Sequence, residues 1–370
     1  MLQNLFPLEE NSLGNQHIIL VNQEGKRWIF PVDNVKIGMN IYQPSSFQGK
    51  TVKKLLPYIT KWKFILNKLH ISVENMKLQD DVMQYLYHLV GGEFEYSIFY
   101  GTPSPNQKIT MQINQGKKCI AYVKFSDKEH IAEYFQRECD LLKDLEEKGM
   151  FGIPKAMAFQ KMGNDYIFVQ SGDKSGREKE ADSFNRVHMT FLNEMYRHTK
   201  VTKSFEETKY FKMLVDLQHC LERFESKDRD IIHKGIDKIS RVWTNETEFY
   251  LYHGDFTPWN MYLKEDMLHV FDFEYAKREY PKYLDVFHFH TQIWNLVERR
   301  DMESIWNLYQ RKNQEWAECL QIDNIDVYYI AYLLDIIHEN LLLESIANEK
   351  INEGCYKLWL YLLERLMSKI

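Results

Sequence analysis

Apolar residues recur in two rhythms along this chain, and the place where one gives way to the other divides it. Between about residue 93 and residue 125 they alternate with polar ones over three short runs, 93–100, 108–114 and 118–125, separated by polar loops. A period of two is that of half-buried strands, so this stretch predicts a small antiparallel sheet. A helix follows over 128–148, with Ile131, Phe135, Leu141, Leu142 and Leu145 on one face, and a further strand over 165–170 runs into Ser171-Gly172. Beyond that the period lengthens to that of helices over 184–198, 205–224, 231–243, 293–321, 327–347 and 355–370. Two short strands, 248–253 and 268–273, interrupt this helical part.

Before residue 93 the runs 18–21 and 28–31, joined by Asn22-Gln23-Glu24-Gly25, predict a hairpin. The segment 52–69 has a helical rhythm that Pro57 is expected to break. No internal repeat or low-complexity tract is visible.

The two interrupting strands flank the chemistry. His253-Gly254-Asp255-Phe256-Thr257-Pro258-Trp259-Asn260 follows the first, and Asp272-Phe273-Glu274 closes the second. Asp255 and Asn260 are five positions apart, the spacing of the kinase catalytic loop H-R-D-x-x-x-x-N, in which the aspartate receives a hydroxyl proton and the asparagine binds a metal. Asp272 then stands where a metal-binding D-F-G aspartate would. Phosphoryl transfer asks a protein mainly to hold Mg2+ against the phosphates and to place a hydroxyl in line, for which two carboxylates and one amide oxygen suffice.

With glycine in place of arginine, and Asp272-Phe273-Glu274 in place of D-F-G, the motif pair resembles the aminoglycoside phosphotransferase and choline kinase-like family of small-molecule kinases. The resemblance covers roughly residues 93–290. It implies an α+β, bilobal protein kinase-like fold: a small antiparallel β lobe with one key helix over 93–170, a larger and mainly helical lobe over 171–370, and an extension, 1–92, packed on the small lobe. It further implies ATP or another nucleoside triphosphate with Mg2+ as cofactors, held in the cleft between lobes.

Under that resemblance Lys124, in Ala121-Tyr122-Val123-Lys124, matches the strand lysine that neutralises phosphates. Glu138, fourteen residues on, is the glutamate that orients it, with Glu133 a rival on the same helix. Gly101, Thr102 and Ser104 belong to the loop that would cover the nucleotide phosphates, though they lack G-x-G-x-x-G and also read as a proline-rich turn. His253 is expected to fix loop geometry, and Asp285 to accept NH bonds from that loop, its residue type being equally that of a helix N-cap. Trp259, Tyr283 and His288 lead the candidates for acceptor contacts, with Phe256, His290 and Trp294 behind them, all six also readable as helix-core or loop aromatics. Zinc on His288 and His290 is disfavoured, because i, i+2 spacing splays them on a helix. Lys174 and Arg177, in a polar glycine-containing stretch, read as a solvated charge run.

The implied reaction is transfer of the γ-phosphoryl group to a hydroxyl of a small polar acceptor. Sugars or amino sugars stand slightly ahead of amino alcohols such as choline. A catalytically quiet nucleotide-binding regulatory or scaffold module is the alternative from another class, and protein kinase activity is weakened by Gly254, Glu274 and the lack of A-P-E.

Composition narrows the remaining classes. With 44% hydrophobic and 14% aromatic residues the chain is globular. Its net charge of -6 is carried by interspersed charges, and no basic stripe suggests nucleic acid. Five scattered cysteines with no metal-ligand spacing predict buried free thiols in a reducing cytoplasm. Glu9 and Glu10 precede any long apolar run, so no signal peptide is expected. The most apolar segment, 327–343, is interrupted by Asp335, His338 and Glu339, so no membrane span is expected either.

Overall fold

The computed structural model describes residues 15–22, 25–44, 47–60, 62–68, 71–101, 107–175, 178–243, 246–347 and 353–369. The chain forms two compact units: residues 1–180 with 263–265, and residues 181–262 with 266–370.

The first unit is built on one antiparallel sheet. Its strands are β1 (Asn15–Val21), β2 (Arg27–Pro31), β3 (Ser72–Met76), β4 (Glu95–Tyr100), β5 (Ile109–Gln115), β6 (Lys118–Ser126), β7 (Ala156–Met162) and β8 (Asp165–Ser171), in the order β3-β1-β2-β4-β5-β6-β8-β7. Neighbours β4 to β6 pair in long register, Ile98 opposite Met111 and Met111 opposite Val123. These alternate residues point to one face and are buried. That face packs on the helix α3 (Asp80–Val90), sharing a core of Ile29, Leu78, Val82, Leu86 and Ile98.

Ahead of α3 lie α1 (Phe47–Ile59) and α2 (Lys63–Lys68), whose Leu56 and Leu66 enter a second core with Ile18, Trp28 and Phe30. Pro57 does not end its helix; α1 runs two residues further. So close to the carboxyl end, a missing NH costs one bond, less than an interior break. The long helix α4 (Glu129–Glu147) buries Phe135, Glu138, Cys139 and Leu142, with Phe135 and Phe168 of β8 in ring contact.

The second unit is mainly helical: α5 (Arg186–Thr199), α6 (Lys209–His219), α7 (Ser226–Val242), α8 (Leu284–Gln292), α9 (Met302–Leu320), α10 (Ile325–Ala347) and α11 (Glu353–Lys369). It also holds the sheet β13-β10-β9, made of β9 (Val201–Lys203), β10 (Thr247–Tyr252) and β13 (Lys277–Tyr280). A hairpin of β11 (Met261–Lys264) and β12 (Met267–Val270) follows β10. Helices α7, α10 and α11 pack closely enough that Gly235 meets Leu334 and Leu363 side chains where a Cβ would stand.

Two expectations about single residues change. Lys174 is buried rather than solvated, its backbone oxygen accepting from Cys119 N–H at 2.9 Å, and burial pushes its amine down to about 8. Arg177 lies outside the described residues. Cys119 and Cys139 are buried free thiols, whereas Cys220 is half-buried and Cys319 exposed, on the outer face of α9. No helix among the described residues is long and apolar enough to cross a membrane.

Candidate active site

In the first unit, Lys124 projects from β6 and its Nζ lies 2.6 Å from Glu138 Oε2 of α4, both side chains almost fully buried. Glu133, the rival, instead sits exposed beside Arg137, Oε2 at 3.7 Å from the guanidinium. Gly101 follows β4 directly, and its carbonyl accepts from Gln107 Nε2 at 2.8 Å. Thr102 and Ser104 lie outside the described residues.

In the second unit, β10 delivers the chain into a tight loop at its carboxyl end. Gly254 is the residue that lets it turn: its φ is +81, and a Cβ there would stand 2.4 Å from the Tyr275 carbonyl oxygen. A left-handed backbone and a blocked Cβ position together require glycine. The preceding residue, His253, is wholly buried, its Nδ1 accepting the Asp255 N–H at 3.2 Å while its ring lies 4.4 Å from that of Phe273. Burial pushes this imidazole down to about 4, against the raising pull of Asp255 and Asp272. It is a neutral loop fastener.

Asp285 supports the same loop from α8. Its two carboxylate oxygens accept the N–H of His253 at 3.1 Å and of Gly254 at 3.3 Å. It does not cap α8 as its residue type allowed: Tyr283, in the left-handed region at φ 71, is the N-cap and Asp285 stands inside the first turn. Complete burial raises its pKa to about 7, against the two N–H bonds, which favour the ionised form.

Asp255 is the one partly exposed acid of the loop, with a side chain 28% accessible. Three groups fix its carboxylate. Asn260 Nδ2 donates to Oδ2 at 2.7 Å and to the Asp255 carbonyl at 3.0 Å; Thr257 Oγ1 donates to Oδ1 at 3.4 Å; and His288 Nε2 lies 3.2 Å from Oδ1. With Nδ2 committed to Asp255, Asn260 keeps Oδ1, a hard oxygen, for another partner. The segment carrying Asp272 is stitched to this asparagine by a bond from Phe271 N–H to the Asn260 carbonyl at 3.0 Å. Asp272 itself is not a strand residue: β12 ends at Val270, and Asp272 takes a left-handed φ of 69 before the helical turn 273–275. Aspartate tolerates that conformation better than most residues.

The acceptor candidates part company. Phe256 and Trp294 are core side chains, and His290 is packed against Trp294 and Trp316, its ring pushed by burial down to about 3. His288 is buried, with its Nε2 turned to Asp255 Oδ1. Trp259 and Tyr283 stay half-exposed, with Tyr283 N–H donating to the Tyr196 hydroxyl at 3.1 Å. The His288 and Thr257 contacts with Asp255 were missed from sequence. A threonine two residues past the aspartate was a visible signal; a histidine 33 residues away was not.

No family model and no curated protein matches the sequence. Solved structures do. A thermostable mutant of aminoglycoside phosphotransferase APH(4)-Ia, in ternary complex with ADP and hygromycin B, is similar over 78% of this chain and 98% of that one, at 11% identity and a TM-score of 0.51. Its apo form gives 0.52, with the same coverage and identity. The chain has the protein kinase-like fold. The match takes in nearly the whole phosphotransferase and leaves about a fifth of this chain outside it.

Proposed function

We propose that this protein is an ATP- and Mg2+-dependent phosphotransferase acting on a hydroxyl of a small polar acceptor, a sugar or amino sugar ahead of an amino alcohol. The observation that carries the reading is the state of Asp255: partly exposed, on a loop clamped by Asp285, with both carboxylate oxygens already oriented by neighbours. Preorganisation of this kind is what a base needs when the acceptor hydroxyl arrives.

In the proposed reaction the acceptor oxygen forms a bond to the γ-phosphorus as the bond from phosphorus to the β,γ-bridging oxygen breaks. The hydroxyl proton passes to the Asp255 carboxylate, and the nucleoside diphosphate leaves. Asn260, through Oδ1, and Asp272 would hold Mg2+, which supplies charge neutralisation of the phosphates. Lys124, oriented by Glu138, would bind phosphate oxygens. His253 and Asp285 keep the loop in place, and Trp259 and Tyr283 are the acceptor contacts that remain accessible. The ADP and hygromycin B bound by the structurally similar phosphotransferase are consistent with this assignment.

The test is Mg·ATP consumption across a panel of amino sugars, sugars and amino alcohols, paired with thermal shift by Mg·ATP. Asp255→Asn is expected to lower turnover at least about a thousandfold while keeping the nucleotide-induced shift. Asp272→Asn is the counterpart that loses the shift as well. A wild-type protein stabilised by nucleotide but inert towards every acceptor would make it a binding module instead.

A further inference from the structure

One stretch departs from the interspersed charge of the rest. Between Asp33 and Glu74 the chain carries seven lysines, no arginine and no acidic residue, although the whole chain bears a net charge of -6. This stretch contains α1 and α2, and the structure shows what their outer side presents. Val52, Leu56 and Ile59 of α1 and Leu66 of α2 pack inward on the core of Ile18, Trp28 and Phe30. On the other side, Leu55 is 54% accessible, Tyr58 74%, Trp62 60% and Phe64 74%. Leu55, Tyr58 and Trp62 follow one another at three and four residues, and Phe64 continues the patch on α2. Lys54 and Lys68 are exposed on the same two helices, and Lys50 only approaches Glu180, at 3.9 Å with both side chains more than half accessible.

Large rings left in water beside lysines are costly unless something covers them. The chemistry of the patch selects what that is. Tryptophan and tyrosine favour the boundary between acyl chains and headgroups, and lysine stems reach along it while their ammonium groups stay wet. A single-signed basic surround is drawn to anionic headgroups. Leucine among the rings, and the lack of arginine, favour acyl chains over stacked bases.

We propose that α1 and α2 form a peripheral docking surface for an anionic lipid bilayer, with Leu55, Tyr58, Trp62 and Phe64 entering the headgroup boundary and the exposed Lys54 and Lys68 contacting lipid phosphates. The surface belongs to the first unit alone, so the proposal stands apart from the phosphotransferase reading.

The experiment is sedimentation of the full chain with phosphatidylcholine vesicles, with and without admixed phosphatidylglycerol, at low and high salt. Binding is expected only with the anionic lipid, falling as salt rises. Trp62→Ser with Phe64→Ser is expected to weaken partition about tenfold or more, and Lys54→Gln with Lys68→Gln to weaken it while reducing its salt dependence. Because these side chains are exposed, unchanged melting temperatures will separate lost docking from lost folding. Equal binding to neutral vesicles, or no binding to either kind, overturns the proposal. So does a wild-type dimer that the Trp62 and Phe64 substitutions convert to monomer, which would mean a second copy covers the patch. Binding to single-stranded nucleic acid or to an acidic protein in place of vesicles would overturn it equally.

Discussion

At Asp255 a single carboxylate is held from three directions, and the contact from His288 is the one that a substitution can isolate. A carboxylate can only accept, so Nε2 is the donor in this contact, while the buried Nδ1 has no hydrogen-bond partner. Glutamine can place an N–H at comparable reach; leucine fills the space without one. His288→Gln is therefore expected to keep most activity and His288→Leu to lose about tenfold to a hundredfold in kcat, the worth of one hydrogen bond to a charged group. An unchanged kcat in the leucine variant would remove His288 from the machinery. Asp285 makes a prediction in pH. Its folded pKa, about 7, lies above the usual 3.8, so between these values the folded chain holds a proton that the unfolded one has released. Stability from this group is present at low pH and declines as pH rises towards 7, by up to about 4 kcal/mol. Urea unfolding at several pH values should show that slope, and Asp285→Asn should flatten it. His253, Asp255 and Asn260 could be read from sequence because their relation is local. The His288 contact could not, since only folding brings α8 behind the loop.

Among elements, the Lys124 to Glu138 pair braces β6 against α4. Since Glu138 has no exposure, Lys124→Met takes the ammonium 2.6 Å from its buried carboxylate away, expected to cost about 3–5 kcal/mol in denaturant unfolding. Adding Glu138→Leu should recover most of that loss. If the single variant is as stable as the wild type, the brace carries no weight. Both elements were legible in advance, the strand from its alternation and the helix from its apolar face, with ends within a residue or two. Harder to read were features set by packing between distant segments. Lys277 of β13 pairs with Asp335 at 2.8 Å and Glu339 at 2.7 Å of α10. Against the pull of burial, these two acids hold its pKa well above the usual lysine value. In sequence the same two acids served only as interruptions of an apolar run.

On the scale of the whole molecule, the described residues before 92 are woven into the first unit. Three of its strands, β1 to β3, continue the sheet of β4 to β8, and Ile29, Leu78, Val82 and Leu86 share the core of the later strands. Deleting residues 1–92 should expose the β2-facing edge of β4 and the core side chains that Ile29, Leu78, Val82 and Leu86 cover, giving aggregated protein on size-exclusion chromatography. A soluble, monomeric remainder would show the early strands to be dispensable. The hairpin of β1 and β2 was legible from its two apolar runs and the glycine-containing turn between them, but β3 and the joining of all three to the later strands carry no local signal, and only pairing reveals them. One consequence lies in the turn at Gly254. With its left-handed backbone and the Tyr275 oxygen 2.4 Å from any Cβ, no side chain can be grafted at this position without moving the 273–275 turn. An arginine here, as in protein kinase loops, would need that turn to move with it. The loop and the 273–275 turn are thus locked to one another at a single atom pair, and neither can be redesigned alone.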